Sequence, residues 1–443
     1  MPKKSVKTRF APSPTGFLHI GGLRTALFNY LWAKKNNGVF ALRIEDTDRQ
    51  RGVAGAEEQI LEALKLFGLD FDEGPVRQSE RLPIYRKYAE ELLERGLAYE
   101  EDGAIRQKIP REGITQYDDL VYKKIKVENH SLDEGVLLKS DGFPTYNFAN
   151  VIDDHEMQIT HVLRGEEFIP STPKHILLYR AFGWEAPEFA HLPVIVNENG
   201  KKLSKRDDAV DALHYLQYFE TGAILNFIAL LGWNPKTEQE IFSKDELVAS
   251  FEIKKINKSS AVFDTKKLNW LNKQWITKEN LVDSNFYKNL TAIKATLGIT
   301  EDNETFNIRF AEIVLARTND FFRLNELLKT EFLFFKEPLD YEPTGLIWKE
   351  TPAETIKTNL EKIYVYLEGL EFEKWDIVEM EKNLKTFITE QKMQTGEALW
   401  PLRVAVSGQK NSANPFEIIF AFSARADGRE IVLGRIQAAI EKL

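Results

Sequence analysis

The stretch from Arg9 to Gly22, RFAPSPTGFLHIGG, constrains the fold of this chain more than any other. A β-compatible run over Val6 to Phe10 stops at a turn broken by proline and glycine, and a segment of strong helix character, Leu23 to Ala33, begins directly after two glycines. The order is strand, loop, helix. Gly16, Gly21 and Gly22 leave backbone N–H groups unshielded, the adjoining helix start supplies a partial positive charge, and His19 adds a donor at the same mouth. Such a place suits an anion. Taken alone, the stretch is also compatible with a tight turn packed for structural reasons.

The residues that follow extend a sheet. Leu23, Leu27, Tyr30 and Leu31 share a helical face, Lys34 and Lys35 suit the last turn, and Asn36, Asn37 and Gly38 close it. Val39 to Ile44, nearly all apolar, reads as a buried parallel strand ending in Glu45, Asp46, Thr47 and Asp48 between Arg43 and Arg49. Ligands of open α/β sheets gather at the carboxyl ends of strands, so this cluster and the first loop are expected at one crevice. Helical patterns cover Gly55 to Gly68 and Ile84 to Gly96. From Tyr99 to about Leu138 short mixed strands, broken by Gly103, Pro110 and Gly113, read as a small insertion between two halves of the sheet.

The sheet is expected to resume at Phe143 to Asn150, with further strands at Ile159 to Arg164 and His191 to Val196 and a helix at Pro173 to Phe182. A turn at Asn197 to Gly200 leads into Lys201-Lys202-Leu203-Ser204-Lys205-Arg206. Beyond it the spacing turns helical, with apolar stripes such as Ile224, Phe227, Ile228 and Leu231, then Leu360, Ile363 and Leu367, then Val432, Ile436, Ala439 and Ile440. These stripes are core, and no chemistry is read from them.

Composition narrows the function. A length of 443 residues suggests roughly three or four domains. The absence of cysteine excludes disulfides, thiolate catalysis and Cys-ligated zinc. With no charged-then-apolar leader and no run of about 18 apolar residues, the sequence reads as soluble and cytoplasmic, without a membrane partner. The net charge of -9 argues against wholesale non-specific binding to nucleic acid but leaves room for a specific partner at local basic clusters. Two such clusters are Lys201 to Arg206 and Lys254 to Lys273, the second equally readable as a solvated face.

Two phosphate-seeking elements thus stand far apart in sequence: the glycine-relieved helix start with His19, and the basic loop after the last strand. A nucleoside triphosphate attacked at its α-phosphate needs preorganised cations and N–H donors, because charge shifts onto the bridging oxygen and pyrophosphate as the bond breaks. If the attacking group is itself a carboxylate, no protein nucleophile is required, and the sequence has no evident nucleophilic triad.

Pro12 to Gly22, PSPTGFLHIGG, and Lys202 to Arg206, KLSKR, together resemble the "HIGH" and "KMSKS" signatures of class I aminoacyl-tRNA synthetases. RIEDTDR at 43 to 49, PTYNFANVIDD at 144 to 154, ITHVLRGEE at 159 to 167 and FDTKKLNWLN at 263 to 272 extend the resemblance to the bacterial glutamyl-tRNA synthetases. Gly22, at the fourth place of the first signature, is usual in glutamate-specific members. The resemblance implies a Rossmann-type α/β catalytic domain with a small mixed α+β insertion, followed by all-α C-terminal domains. The implied boundaries are a catalytic first half over 1–98, an insertion touching the tRNA acceptor stem over 99–138, and a catalytic second half over 139–206. A helical stem-contact domain over 207–300 and a helical anticodon-binding domain over 301–443 follow.

The same resemblance implies roles. Arg9, Ala11, Ser13, Glu45, Tyr146, Asn150 and Arg164 would form the L-glutamate pocket, Arg9 and Arg164 meeting carboxylates and Glu45 the ammonium group. A structural ion pair is the other reading of each arginine. His19, Gly21, Gly22, Glu167, Lys202, Lys205 and Arg206 would contact ATP, with His19, Lys202 and above all Lys205 acting on the phosphates. Mg2+ is expected with ATP, without a dedicated protein cage, and a monomer is expected. Where many relatives carry a cysteine-built zinc site and further helical sequence, Tyr99 to Ala104 has no such ligands and His130 is the imidazole nearby, so no zinc is expected. The implied reaction makes glutamyl-adenylate from glutamate and ATP and transfers glutamate to tRNA(Glu). The alternatives are an enzyme that also charges tRNA(Gln), a glutaminyl-tRNA synthetase, a shortened relative modifying a tRNA base, and a catalytically silent tRNA-binding protein.

Overall fold

The computed structural model describes residues 5–48, 50–203, 211–296, 303–335, 339–371 and 376–443. The chain divides into two compact units, Met1–Trp275 and Ile276–Leu443. Among the described residues no helix is long and apolar enough to cross a membrane.

The first unit opens with β1 (Lys7–Phe10), α1 (Ile20–Lys35), β2 (Val39–Ile44), α2 (Ala56–Leu66), β3 (Glu73–Arg77) and α3 (Leu82–Glu94). The three strands are parallel in the order β1-β2-β3, as the unbroken apolar run of β2 requires. α1 starts earlier than its composition suggests: His19 caps it by accepting a bond from Gly22 N at 3.1 Å, so both glycines belong to its first turn. Leu23, Leu27 and Leu31 are fully buried, and Lys34 and Lys35 occupy the last turn.

The stretch from 98 to 138 forms β4 (Ala98–Glu101), β5 (Ala104–Gln107), β6 (Ile114–Asp119), β7 (Lys123–Glu128) and β8 (Val136–Leu138). β4, β5 and β8 make a small antiparallel sheet, whereas β6 pairs antiparallel with β7 and also runs parallel to a later strand. Next come α4 (Tyr146–Glu156), β9 (His161–Gly165), α5 (Thr172–Phe182), β10 (Glu188–Leu192) and β11 (Ile195–Val196). The second main sheet has the order β7-β6-β10-β9. β9 is placed beside β1 by bonds from Thr160 N to Lys7 O at 2.9 Å and from Lys7 N to Thr160 Oγ1 at 2.8 Å.

Two expectations need correction. Phe143 to Asn150 is not a returning strand: α4 begins at Tyr146, with Thr145 O accepting from Phe148 N and Ala149 N, and Phe148, Ala149, Val151 and Ile152 are buried. The polar and aromatic residues had masked that helical spacing. His191 to Val196 is not one strand either. Pro193, which has no N–H to give to a ladder, divides β10 from β11. β11 instead pairs with β12 (Ala261–Val262), after α6 (Ala212–Tyr215), α7 (Thr221–Leu230) and α8 (Lys244–Ser250); α9 (Thr265–Trp275) ends the unit.

The described elements of the second unit are helical: α10 (Asn285–Thr296), α11 (Glu304–Arg317), α12 (Leu324–Glu331), α13 (Ala353–Glu368), α14 (Ile377–Glu390), α15 (Thr395–Ser407), α16 (Pro415–Phe422) and α17 (Gly428–Lys442). Asn303 and Asp376 cap α11 and α14, and Asn414 with Glu417 forms a capping box on α16. Leu360, Ile363, Leu367, Val432, Ile436 and Ala439 are fully buried, as their spacing requires.

The turn from α1 into β2 is tight enough to test. A Cβ on Gly38 would lie 2.0 Å from Val6 O, the same oxygen that accepts from Val39 N at 2.9 Å. Gly38→Ala should therefore lower stability by about 2–3 kcal/mol in urea unfolding. Gly135→Ala, with nothing within 4 Å of the added methyl, should stay within about 0.5 kcal/mol of the parent.

Candidate active site

A cleft of about 1000 Å³ opens at the carboxyl ends of β1, β2 and β9. Arg9, Ala11, Ser13, Glu45, Tyr146 and Arg164 line it. His19, Gly21, Gly22, Glu167 and Lys202 line it as well. Asn150 does not: it sits behind the wall and donates to Tyr146 Oη at 3.0 Å. Lys205 and Arg206, like Arg49 beside the polar cluster, lie outside the described residues.

The local sequence explains these positions. His19 reaches the cleft because it is the residue before α1, and a Cβ on Gly21 would lie 2.9 Å from its ring. A Cβ on Gly165 would lie 2.1 Å from Glu167 Oε2, so glycine leaves space for that carboxylate to fold back over the strand end. Lys202 forms an isolated bridge with Val196 of β11, and Asp211 forms one with His19. Asp211 also accepts from Gln59 Nε2 at 2.9 Å, while Gln59 Oε1 accepts from Leu18 N at 2.8 Å. The residues on either side of 204–210 therefore meet the same cleft as the His19 loop.

Three arginines at the strand ends are almost wholly buried, at 3% exposure for Arg9, 0% for Arg43 and 4% for Arg164. Arg9 donates to Asp154 through Nε at 3.0 Å and Nη2 at 3.4 Å. Arg43 bridges Asp154 at 2.7 Å and Glu45 at 3.0 Å. Burial opposes the Arg43 charge, but Asp154, Glu45 and Asp153 together hold its guanidinium above the usual range. Against the same cost of burial, Arg9 and Arg43 hold Asp154 below the ordinary carboxylate range. Burial wins at Glu45, whose carboxyl is raised although Arg43 and Arg9 counter it.

Arg164 differs, because its partners are neutral. It donates to His191 Nε2 at 3.3 Å, Tyr146 Oη at 3.3 Å and Thr172 Oγ1 at 2.8 Å, and meets His175 Nδ1 at 3.2 Å. Burial, helped by Arg164, pushes His175 well below the usual histidine range. His191 is lowered by burial and Arg164, against the opposing bond to Asp119. Both rings are thus neutral supports.

Sequence reasoning missed most of this support: Asp154, Asp119, His191, His175 and Thr172. It also missed Arg24, which lines the cleft from α1 and donates to Pro193 O and Leu231 O. Burial pulls the Arg24 guanidinium down to about 10, with Glu167 and Glu166 opposing. A usable signal was present in Arg43 and the Asp153-Asp154 pair, charges set in otherwise apolar buried runs. Among the described residues no group of three or more His, Asp or Glu side chains could hold a metal ion.

A parallel α/β sheet with a cleft at its strand ends lined by charged side chains, followed by a helical unit, defines the class. Residues 5–104 and 100–270 match the family model of the catalytic domain of class I tRNA synthetases for glutamate and glutamine, and residues 285–440 match that of an anticodon-binding domain. The glutamate-tRNA ligase of Clostridium novyi is 40% identical, over 100% of this chain and 99% of the relative. That of Flavobacterium psychrophilum is 39% identical, over 99% and 100%. The solved glutamate tRNA ligase of Elizabethkingia meningosepticum, in complex with its amino acid, superposes with a TM-score of 0.82 at 32% identity, covering 99% of both chains. The chain belongs to the glutamate-tRNA ligase family. The Clostridium alignment runs over 496 positions against the 443 residues of this chain, so the relative carries additional residues within its length.

The two buried histidines make stability depend on pH. An unfolded histidine takes up a proton below about pH 6.5, whereas these folded rings, with lowered values, do not. Their contribution is complete above that pH and is lost as the pH falls towards their folded values. Unfolding free energy in urea should drop between pH 7 and pH 5, by up to about 1.4 kcal/mol per pH unit for each ring. The slope should flatten in His175→Gln. Glu45, being raised, acts in the opposite sense, and Asp154 matters only below about pH 4. A parent protein with no loss of stability over this interval would contradict buried neutral histidines.

Proposed function

We propose that this protein ligates L-glutamate to tRNA(Glu) in two steps on one cleft. In the first, an oxygen of the α-carboxylate of glutamate attacks the α-phosphorus of ATP, a P–O bond forms, and pyrophosphate leaves. In the second, a ribose hydroxyl at the 3′ end of the tRNA attacks the activated carbonyl and AMP leaves. The observation that carries this reading is the meeting, in one cleft, of the His19 helix start, Lys202 and the buried cation Arg164.

The proposed division of labour follows from charge. Arg164, whose protein partners are neutral and leave an N–H of Nη1 to spare, takes a carboxylate of glutamate; Arg9, with Nη1 unbonded among the described residues, contributes beside it. Tyr146, Ala11 and Ser13 shape the wall, Asn150 holds Tyr146, and Glu45 faces the ammonium group. His19, with the N–H groups at Gly21 and Gly22, receives the phosphates together with Lys202, Lys205 and Arg206. Mg2+ bound with ATP would supply charge neutralisation at the phosphate oxygens. Such an ion needs only one or two protein carboxylates besides the phosphates, and Glu167 on the cleft wall suits one such contact.

The stretch 99–138 and the helical part over 207–300 are proposed to meet the tRNA stem, and 301–443 to read the anticodon. The match of residues 285–440 to an anticodon-binding domain supports this and disfavours a shortened, base-modifying relative. We take the enzyme to be a cytoplasmic monomer.

Purified protein given labelled glutamate, ATP and either tRNA(Glu) or tRNA(Gln) should charge the first. Charging of neither tRNA, with no pyrophosphate exchange whether or not tRNA is added, would favour a silent tRNA-binding protein instead. Lys205→Ala should abolish ATP–pyrophosphate exchange while circular dichroism and the melting midpoint stay those of the parent. Exchange within about tenfold of the parent, a barrier change of only ~1.4 kcal/mol, would remove Lys205 from the phosphate chemistry.

A further inference from the structure

Arg164 is a buried arginine of the cleft with no carboxylate within salt-bridge distance among the described residues, and the groups behind it show how that is achieved. A guanidinium only donates, so each ring nitrogen facing it must present a lone pair and keep its proton on the far side. The far sides are built for this. His191 Nδ1 lies 2.7 Å from Asp119 Oδ2, and His175 Nε2 lies 2.9 Å from Asn147 Oδ1. Thr172 Oγ1 accepts from Arg164 Nη2 at 2.8 Å, and its one hydroxyl proton has two acceptors in reach, Phe168 O at 2.8 Å and the lone pair of His191 Nε2 at 3.1 Å.

Strand register sets the line of contacts. Arg164 of β9 is paired with His191 of β10, and β10 in turn meets β6 at Asp119 through Phe189. Asp119 is fixed by Val121 N at 2.9 Å, Tyr122 N at 2.7 Å and His191 N at 3.2 Å. Asp119, His191 and Arg164 are all buried.

We propose that Asp119 and His191 are positioning residues which hold Arg164 with neutral partners on Nε and Nη2, leaving an N–H of Nη1 for a carboxylate, and that this relay makes the protein prefer an acidic amino acid to its amide. The proposal rests on the reading of Arg164 as the carboxylate partner of glutamate. Its physical basis is the distance at which the counter-charge sits. Asp119 offsets the buried guanidinium from one imidazole away, so the cost of burial is met while no protein carboxylate occupies the fork. A carboxylate directly on Arg164, like Asp154 on Arg9, would repel a second one and lessen the advantage of acid over amide. Asp119 also fixes the tautomer. Being acceptor-only, it confines the proton to Nδ1, whereas an amide at 119 can donate to that nitrogen and drive the proton to Nε2, facing Arg164.

The test is pyrophosphate exchange by the full-length protein with tRNA(Glu) present. It reads KM for glutamate, KM for ATP and the ratio of kcat/KM for glutamate over glutamine in Asp119→Asn, His191→Leu, His191→Gln and Arg164→Ala. Asp119→Asn and His191→Leu should raise KM for glutamate about tenfold or more and lower the ratio by a similar factor, with KM for ATP within about twofold of the parent. His191→Gln, whose amide oxygen can accept from Arg164, should recover most of the loss. Glutamate KM unchanged in Asp119→Asn and His191→Leu, with Arg164→Ala impaired, would overturn the relay and leave the reading of Arg164 standing. An unimpaired Arg164→Ala would overturn both. Should His191→Leu fail to fold, Asp119→Asn, which preserves shape, decides alone.

Discussion

Burying positive charge at the ends of parallel strands is the condition on which this catalytic unit depends. An arginine moved from water into a protein interior costs several kcal/mol unless partners meet each donor, and removing one partner of a buried pair costs roughly 3–5 kcal/mol. Three such arginines stand at adjacent strand ends, and the fold answers each in a different way. Arg43 is surrounded by carboxylates, with Asp154, Glu45 and Asp153 within 4 Å. Arg9 shares Asp154 and keeps one nitrogen towards the cleft. Arg164 is given lone pairs without charge. The gradient from compensated to uncompensated cation runs along the sheet from β2 through β1 to β9, and it makes one end of the cleft attractive to an anion.

That gradient needs a stiff frame, and the carboxylates that supply it come from α4. Asp153 and Asp154 are consecutive on this helix and serve different partners. Asp153 accepts from Gln78, Arg81 and Tyr85 at 2.8 Å each, on the α3 side, while Asp154 turns to Arg9 and Arg43. One helical turn earlier, Asn150 holds Tyr146, whose hydroxyl in turn meets Arg164. A single helix thus sets the counter-charges of two arginines and the aromatic wall beside the third.

This division explains what could be read from the sequence. Glu45 and Arg164 were legible as charge closing an apolar strand, where ligands of such sheets gather, and Arg9 through the resemblance of its loop; the fold gathers all three at one cleft. Their partners were not legible. Asp154 is 145 residues from Arg9, and Asp119 is 72 from His191, and no local pattern encodes a pairing over such separations. α4 was hidden for a related reason: Tyr146, Asn147 and Asn150 hold other polar side chains instead of filling core, which blurred the apolar spacing. Pro193 carried a clear signal, since a residue without an N–H cannot continue a central strand, and the expected strand over His191 to Val196 overlooked it.

The proline also shows how two segments far apart in sequence come to line one cleft. Arg24 lies on α1, little more than one turn after His19, and its guanidinium grips Pro193 O where β10 ends and Leu231 O where α7 ends. β11 starts two residues beyond Pro193 and leads, through the turn at Asn197 and Gly200, to Lys202 on the cleft wall. On the other side of residues 204–210, the chain returns at Asp211 to bridge His19, and Ala212 N donates to Leu18 O at 2.9 Å. The helix that presents His19 therefore also fixes where the basic segment departs and where it comes back. Neither loop has to recognise the other, because both are registered to α1. Any substitution that shifts α1 along its axis would move His19 at its N-terminus and the points where the second segment leaves and rejoins the cleft together, which preserves their mutual geometry better than two independent anchors could.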